Sequence, residues 1–412
     1  MRMFLSLCLL ACSTLAAQQT SELAGKPFYV TKTWPVACDC TWDTLTVDPP
    51  AGQLFIARGQ LVQVVDTETG ALVGKIGGLS DAHVIALDEM GESGYIGDAK
   101  AGSVVVFDRR TLRVTARIQL TSSPRLLAYD AQEHLLYAVP FATPATRILH
   151  KVVRRDANGI LRADIVADPT PDWNATRNAV TPIAVIDTEK QTVIGHLLFS
   201  GAINEALTDE RGQLYLSVVA RNRVLRVDSH AMATMLRDKG GSETSLVDWS
   251  DIGSSEIARA NWEGPDHPDI FSLGAACTEP KGLAVDAQHQ RLFAACCNNK
   301  LTVWNMGGGD LVASLSLNNR PDALAYDAGR GLLYAASGSG TLTVVRQHIT
   351  DSFSVIQELP TQEQARTLAV NPVNGEVYLV TNRMGVDLTK TGIGNLQTAP
   401  IPGSFEVLVV GN

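Results

Sequence analysis

Residues 324–335 have the sequence LAYDAGRGLLYA, in which two apolar runs flank a polar turn that begins at Asp327. Short apolar runs joined by a Gly-containing turn are typical of two antiparallel β-strands. The same phrase occurs in seven copies along the chain. The turn residues of these copies are Asp48, Asp88, Asp130, Asp209, Asp286, Asp327 and Asn371. A phrase that recurs in this way indicates a repeat protein.

Successive turn residues are separated by 40, 42, 79, 77, 41 and 44 residues. A period of about forty residues is that of a β-propeller blade, which contains four strands. The two nearly doubled intervals contain polar stretches instead of another copy of the phrase. We therefore predict insertions near residues 143–178 and 239–276, and a shorter insertion near residues 383–403.

The two ends of the chain predict how the ring closes. A third strand follows each pair, and several copies continue into a fourth, as in residues 72–76. The seventh copy stops after a third strand at residues 405–410, whereas an unassigned strand, residues 28–33, precedes the first copy. Pairing these strands removes two exposed edges. The sequence therefore predicts an all-β, seven-bladed β-propeller with four antiparallel strands per blade, formed as one domain by residues 27–412.

Two segments resemble a known repeat family. Residues 64–70 (VVDTETG) and 185–188 (VIDT) match the "VxVxDxxT" phrase of YVTN-type β-propeller repeats, which are related to WD40-like repeats. The resemblance covers most of the chain outside the N-terminus and the insertions. It implies a seven-bladed ring in an extracytoplasmic setting. It implies no single function, because one fold supports many functions.

The N-terminus resembles an export signal. Residues 1–17 contain a basic residue, a short apolar run and a small-residue cleavage zone, which predicts a signal peptide and a periplasmic or secreted protein. An alternative is a lipoprotein signal, in which Cys12 carries a lipid tether and the protein is an outer-membrane lipoprotein. No later apolar run reaches the roughly twenty residues of a spanning helix, so we predict no transmembrane segment.

Composition and absent motifs exclude several classes of partner. The chain is 45% hydrophobic and has a net charge of −9, which is typical of a globular protein and argues against a nucleic-acid partner. It contains no Cys-x-x-Cys-His haem motif, no His-Glu-x-x-His zinc motif and no phosphate-binding loop. We therefore predict no cofactor and no resident metal.

Polar residues recur at one register of the repeat. The position five residues before each turn residue is polar in all seven copies. These residues are Asp43, His83, Arg125, Asn204, Lys281, Asp322 and Arg366. In a propeller, this position lies at the mouth face, which carries the loops into the innermost strands and the loops between second and third strands. The seven residues are candidates for ligand binding, and the alternative is that they are polar because water reaches the channel.

The three insertions are all expected to rise from the same mouth face. The insertion near residues 143–178 and that near residues 383–403 fall between second and third strands. The insertion near residues 239–276 is expected to lead from blade 4 into the innermost strand of blade 5.

Five cysteines follow the signal: Cys38, Cys40, Cys277, Cys296 and Cys297. We predict a disulfide from Cys277 to Cys296 or Cys297, because these positions fall in neighbouring loops of one blade and export favours oxidation. A bridge between the adjacent Cys296 and Cys297 is an alternative. Capture of a soft metal such as copper(I) by Cys38 and Cys40, with His83 nearby, is another.

Three functions fit these observations. The first is a non-catalytic protein that binds a small molecule or an envelope protein at the channel mouth. The second is a lactonase-like hydrolase, in which His83, Asp43 or Asp322 activates water. The third is a metal or redox role for the cysteines at the mouth.

Overall fold

A computed structural model describes most of the chain after residue 25. The described ranges are residues 26–36, 41–88, 91–140, 148–155, 161–168, 180–209, 211–249, 269–386 and 398–412. The predicted signal peptide and Cys12 lie outside them. Among the described residues, no helix combines the length and the apolar character needed to cross a membrane.

Seven β-sheets form a closed ring, which confirms the predicted propeller. Strand β1 (Tyr29–Pro35) belongs to the last blade. From the innermost strand outward, blade 1 contains β2 (Leu45–Asp48), β3 (Gln53–Ala57), β4 (Val62–Asp66) and β5 (Leu72–Ile76). Blade 2 contains β6 (Ala82–Leu87), β7 (Ser93–Asp98), β8 (Ser103–Asp108) and β9 (Val114–Gln119).

Blades 3 and 4 carry the long insertions. Blade 3 contains β10 (Pro124–Asp130), β11 (Leu135–Pro140), β14 (Val180–Asp187) and β15 (Thr192–Ser200), and a hairpin of β12 (Ile148–Arg155) and β13 (Leu161–Asp168) precedes β14. Blade 4 contains β16 (Ile203–Thr208), β17 (Gln213–Val218), β18 (Arg223–Asp228) and β20 (Asp269–Ser272). Helix α1 (Ser229–Asp238) and strand β19 (Leu246–Trp249) lie between β18 and β20.

The last three blades complete the ring. Blade 5 contains β21 (Pro280–Asp286), β22 (Arg291–Cys296), β23 (Lys300–Asn305) and β24 (Leu311–Ser316). Blade 6 contains β25 (Ala323–Asp327), β26 (Leu332–Ser337), β27 (Thr341–Ile349) and β28 (Ser352–Pro360). Blade 7 contains β29 (Leu368–Val370), β30 (Val377–Thr381), β33 (Glu406–Gly411) and β1, with a small hairpin of β31 (Met384–Val386) and β32 (Thr398–Pro400).

Ring closure follows the predicted pairing of the two ends of the chain. Strand β1 runs antiparallel to β33, with Tyr29 opposite Gly411 and Pro35 opposite Glu406. This pairing gives blade 7 its fourth strand. It also leaves no unpaired edge on β33, because β30 pairs with the other side of that strand.

The hydrophobic core lies between the blades. In the described part, seven clusters of buried side chains each join two neighbouring blades, from Phe55 and Phe107 between blades 1 and 2 to Trp34 and Tyr378 between blades 7 and 1. Strands covered on both faces need apolar residues on both faces. This requirement explains why the second and third strands of most blades are almost continuously apolar.

Two insertions lie between the second and third strands of their blades, on the mouth face. The β12–β13 hairpin falls between the second and third strands of blade 3 and is joined to β14 by the pairing of Leu149 with Val180. The β31–β32 hairpin occupies the same place in blade 7. The rest of these two insertions, including residues 169–178 and 387–397, lies outside the described residues.

The predicted insertion near residues 239–276 was wrong in both its bounds and its position. The insertion starts with α1 directly after β18, and residues 269–272 form the fourth strand of blade 4. It therefore leaves the ring between third and fourth strands, on the face opposite the mouth. Strand β19 then pairs in parallel with β15, so blade 3 gains a fifth strand.

Two features of α1 explain its position. The side chain of Asp228 accepts a hydrogen bond from the backbone N–H of Ala231 at 2.9 Å, which caps the first turn of the helix. Met232, Ala233 and Leu236 are fully buried in the cluster between blades 3 and 4. Trp249, the last residue of β19, packs on Phe199 of β15 with ring centroids 5.3 Å apart.

Candidate functional site

All seven residues of the predicted polar register line one cavity at the channel mouth. This central cavity has a volume of about 590 Å³, within the range of small-molecule sites. The seven residues are Asp43, His83, Arg125, Asn204, Lys281, Asp322 and Arg366. The sequence register therefore placed them on the correct face, and their role in binding stays a prediction.

Backbone irregularities turn several of these side chains toward the channel. In blades 2, 3 and 4 the innermost strand carries one extra residue relative to its partner, and the extra residues are His83, Arg125 and Asn204. Lys281 lies at a similar register shift in blade 5. A β-bulge re-aims the side chain of the extra residue. The repeated bulge therefore accounts for polar residues in strands that are otherwise apolar.

His83 is held between two carboxylates. Its Nδ1 contacts Oδ2 of Asp43, and its Nε2 lies 2.9 Å from Oδ2 of Asp81. Burial lowers the pKa of His83, but the hydrogen bond and negative charge of Asp43, assisted by Asp81, outweigh burial and the opposing charge of Arg125. The net pKa is raised, which favours the imidazolium. Because both ring nitrogens face carboxylates, neither is free to accept a proton from water.

Two cations and one carboxylate form a charged cluster at blades 5 and 6, of which Lys281 and Asp322 line the central cavity. Nζ of Lys281 lies 3.2 Å from Oδ1 of Asp322, and Nη2 of Arg320 lies 3.8 Å from the same oxygen. Oδ2 of Asp322 accepts a hydrogen bond from the backbone N–H of Gly338 at 2.8 Å. Asp322 therefore positions the two cations and offsets only part of their charge.

Glu205 also lines the central cavity, although it is not one of the seven residues of the polar register. Its Oε1 accepts a hydrogen bond from the backbone N–H of Ala206 at 3.1 Å. Burial raises the pKa of Glu205 to about 7, although that hydrogen bond acts in the opposite direction. The signal was present in the sequence, because the equivalent position in the other six blades is uncharged: Thr44, Val84, Leu126, Gly282, Ala323 and Thr367.

Arg366 lies where three cavities meet. It lines the central cavity, a polar cleft of about 420 Å³ and an apolar cavity of about 520 Å³. The polar cleft includes Asn299, Asn319 and Ser339. The apolar cavity includes Trp42, Pro400, Ile401, Pro402 and Phe405. Within the described ranges, no carboxylate forms an ion pair with the exposed Arg366, so its guanidinium can bind an anion.

Close contact between blades 5 and 6 depends on Gly282, the residue after Lys281. A Cβ at this position would lie 2.8 Å from the backbone nitrogen of Leu324 and 3.0 Å from Cα of Ala323. Gly282→Ala is expected to lower the free energy of unfolding by about 1–2 kcal/mol, because the backbones of two blades must separate. Chemical denaturation measures this change. The control is Gly77→Ala, since no atom lies within 4 Å of a Cβ there. Equal stability of the two variants would show that the close contact at Gly282 does not limit stability.

The structure distinguishes the predicted cysteine pairings. Cys277 and Cys296 form a disulfide, and Cys297 is a free, half-buried thiol. The alternative bridge between Cys296 and Cys297 is therefore wrong. Cys38 and Cys40 lie outside the described residues. Across the part of the chain that is described, no group of three or more His, Cys, Asp or Glu side chains is arranged to hold a metal ion.

Comparison with solved structures identifies the fold class. A chain of the mitotic checkpoint complex superimposes with a TM-score of 0.60 at 11% identity, covering 91% of this chain and 93% of that chain. U3-55K gives 0.61 at 10% identity, covering 92% and 98%. The WD40 repeats of RRP9 give 0.61 at 10% identity, covering 94% and 98%. The fold is a WD40-like propeller.

At these identities the likeness establishes the fold alone, which is one that commonly serves as a binding or interaction scaffold. No protein-family model and no curated protein matches the sequence.

Proposed function

We propose that this chain is an exported protein of the YVTN repeat class that binds a small anionic ligand at the mouth of its channel. The observation that carries the proposal is Arg366, an exposed guanidinium at the junction of three cavities. Arg125 and Lys281 add positive charge around the same central cavity. In a chain with a net charge of −9, such a cluster of cations points to an anion as the ligand.

A binding role accounts for the arrangement better than hydrolysis with His83 as the base. Asp43 and Asp81 occupy both nitrogens of His83 and raise its pKa, so the imidazole acts as a positively charged element of the wall. The lactonase hypothesis then depends on Asp43 or Asp322 alone. Asp322 is already paired with Lys281 and with the N–H of Gly338.

The test begins with a thermal-shift screen of organic carboxylates and phosphate esters, followed by calorimetric titration of the best ligand. Arg366→Ala is expected to weaken binding about tenfold to a hundredfold, because a charge-assisted hydrogen bond contributes about 1.5–3 kcal/mol.

The matched control is Arg211→Ala, which removes one exposed arginine from the turn between β16 and β17, on the opposite face. An unchanged affinity in Arg366→Ala, or equal losses in the two variants, would exclude this site.

A further inference from the structure

The polar cleft beside the central cavity has a lining that differs from the rest of the mouth. It lies between blades 5, 6 and 7, and no aromatic residue lines it within the described ranges. Its lining residues are polar or Gly. Asn299, Asn319, Gln364 and Ser339 are among them. Side-chain amides and hydroxyls both donate and accept hydrogen bonds. This chemistry complements a ligand that carries many hydroxyl groups.

Part of this hydrogen-bonding capacity is free. Ser339 shares a hydrogen bond with Ser337 at 2.8 Å, and Nδ2 of Asn319 donates to Oγ1 of Thr341 at 2.7 Å. These contacts orient the two side chains while leaving Oδ1 of Asn319 available. Each also fixes the cleft wall before a ligand arrives, which lowers the entropic cost of binding.

The cleft also carries excess positive charge. Lys281, Arg320 and Arg366 line it, and Asp322 is the acidic residue among its lining side chains in the described part. Lys281 and Arg320 both approach Oδ1 of Asp322, at 3.2 and 3.8 Å. One carboxylate therefore neutralises only one of the three positive charges. An uncharged ligand with many hydroxyl groups would not neutralise this positive charge.

The size of the combined site indicates an extended ligand. The cleft of about 420 Å³ and the central cavity of about 590 Å³ share Lys281, Asp322 and Arg366 along their boundary. Either volume alone falls in the range that holds one small molecule. Together they can hold neighbouring units of a single chain, with Arg366 between them.

We infer that the polar cleft is a second subsite for an acidic saccharide, in which one unit occupies the central cavity and the next occupies the cleft. This inference depends on the proposed anion site, because Arg366 serves both. Arg320 and Asn319 line the cleft and not the central cavity, so they contact the second unit alone.

The experiment titrates the protein with galacturonate, trigalacturonate and the neutral trisaccharide maltotriose. Trigalacturonate is expected to bind at least about tenfold more tightly than galacturonate, and maltotriose at least about tenfold more weakly than trigalacturonate. Arg320→Ala and the near-isosteric Asn319→Asp are each expected to remove most of the trimer's advantage and to leave binding of the monomer unchanged. Arg211→Ala is the control for loss of one exposed arginine.

The outcomes of these titrations distinguish failure of the second subsite from failure of the proposed anion site. Equal affinity for monomer and trimer, equal affinity for the two trisaccharides, or no effect of the two cleft variants overturns the inference. If no saccharide binds but another anion binds through Arg366, the inference fails and the proposed function survives. If Arg366→Ala changes the binding of no anion, both fail. The side chain of Arg320 is 53% exposed, so its removal is compatible with folding.

Discussion

Trp34→Ala is expected to lower the free energy of unfolding by about 3–5 kcal/mol, because it empties a large buried site in the strand that closes the ring. The Trp34 residue is 7% exposed and belongs to the cluster between blades 7 and 1. Its ring stacks on Tyr378 with centroids 5.9 Å apart. It also fills the space beside Gly70, where a Cβ would lie 2.2 Å from the indole. Denaturant titration followed by fluorescence measures the change.

The control for Trp34→Ala is Tyr29→Ala on the same strand. Tyr29 also pairs with β33 through its backbone, but the residue is 56% exposed. Its truncation is expected to cost about 0.5 kcal/mol or less. Similar losses of unfolding free energy in the two variants would show that Trp34 stabilises the protein no more than an exposed residue of β1 does. That result would contradict a stabilising role for the packing of Trp34 on Tyr378.

Ring closure was predictable because it follows from a count of strands. A seventh copy with three strands and a spare strand at the other end of the chain leave one arrangement without free edges. The structure has that arrangement, with β1 beside β33. The turn residues were equally informative, since Asp130, for example, ends β10 and its side chain accepts hydrogen bonds from the turn backbone.

The insertion in blade 4 was not predictable in the same way. Strand β20 has four residues, Asp269–Ser272, and is separated from β18 by a helix and by a strand that pairs with another blade. The propeller repeat imposes no register on such a segment. The amphipathic pattern of residues 229–238 was available in the sequence, with Met232, Ala233 and Leu236 on the buried side. It indicates a helix without indicating which blade the helix packs on.

The register of the repeat predicted which residues line the site, but not how the charges of the site interact. It identified seven lining residues because each blade places the same position at the mouth. It could not show that Asp81, two residues before His83, would face the second nitrogen of that ring. It also did not include Glu205, because this residue lies one position after the polar register. Which charged side chains meet across two blades depends on how the folded ring brings those blades together.

The raised pKa values of His83 and Glu205 both make the central cavity less favourable for an anion as the pH rises. The pKa of His83 is raised, so its positive charge and the stability that this charge contributes persist to higher pH and are lost as the pH rises through that raised value. The pKa of Glu205 is raised to about 7, so a negative charge appears there as the pH rises through neutrality. Binding of an anion at the mouth is therefore expected to weaken as the pH rises.

Glu205→Gln is expected to raise the free energy of unfolding at pH 8 by about 3 kcal/mol and to change it little at pH 4. The carboxyl has an ordinary pKa of 4.5 and a pKa of about 7 in the folded protein. Below pH 4.5 the carboxyl group is mostly protonated in both the folded and the unfolded protein, so its pKa shift does not lower the free energy of unfolding. Between these values the unfolded chain loses the proton first, and the folded state becomes progressively less stable. Glutamine keeps an oxygen for the N–H of Ala206 and carries no charge.

Denaturant titrations at several pH values between 4 and 8 measure this effect, and Glu189→Gln is the control because Glu189 is exposed on the outside of blade 3. The stability of the Glu205→Gln variant should depend less on pH than that of the parent, with the two curves separating between pH 4.5 and about 7. Curves that stay parallel would mean that Glu205 is well solvated in the channel. The same variant should weaken the pH dependence of anion binding, because no negative charge then develops beside the ligand.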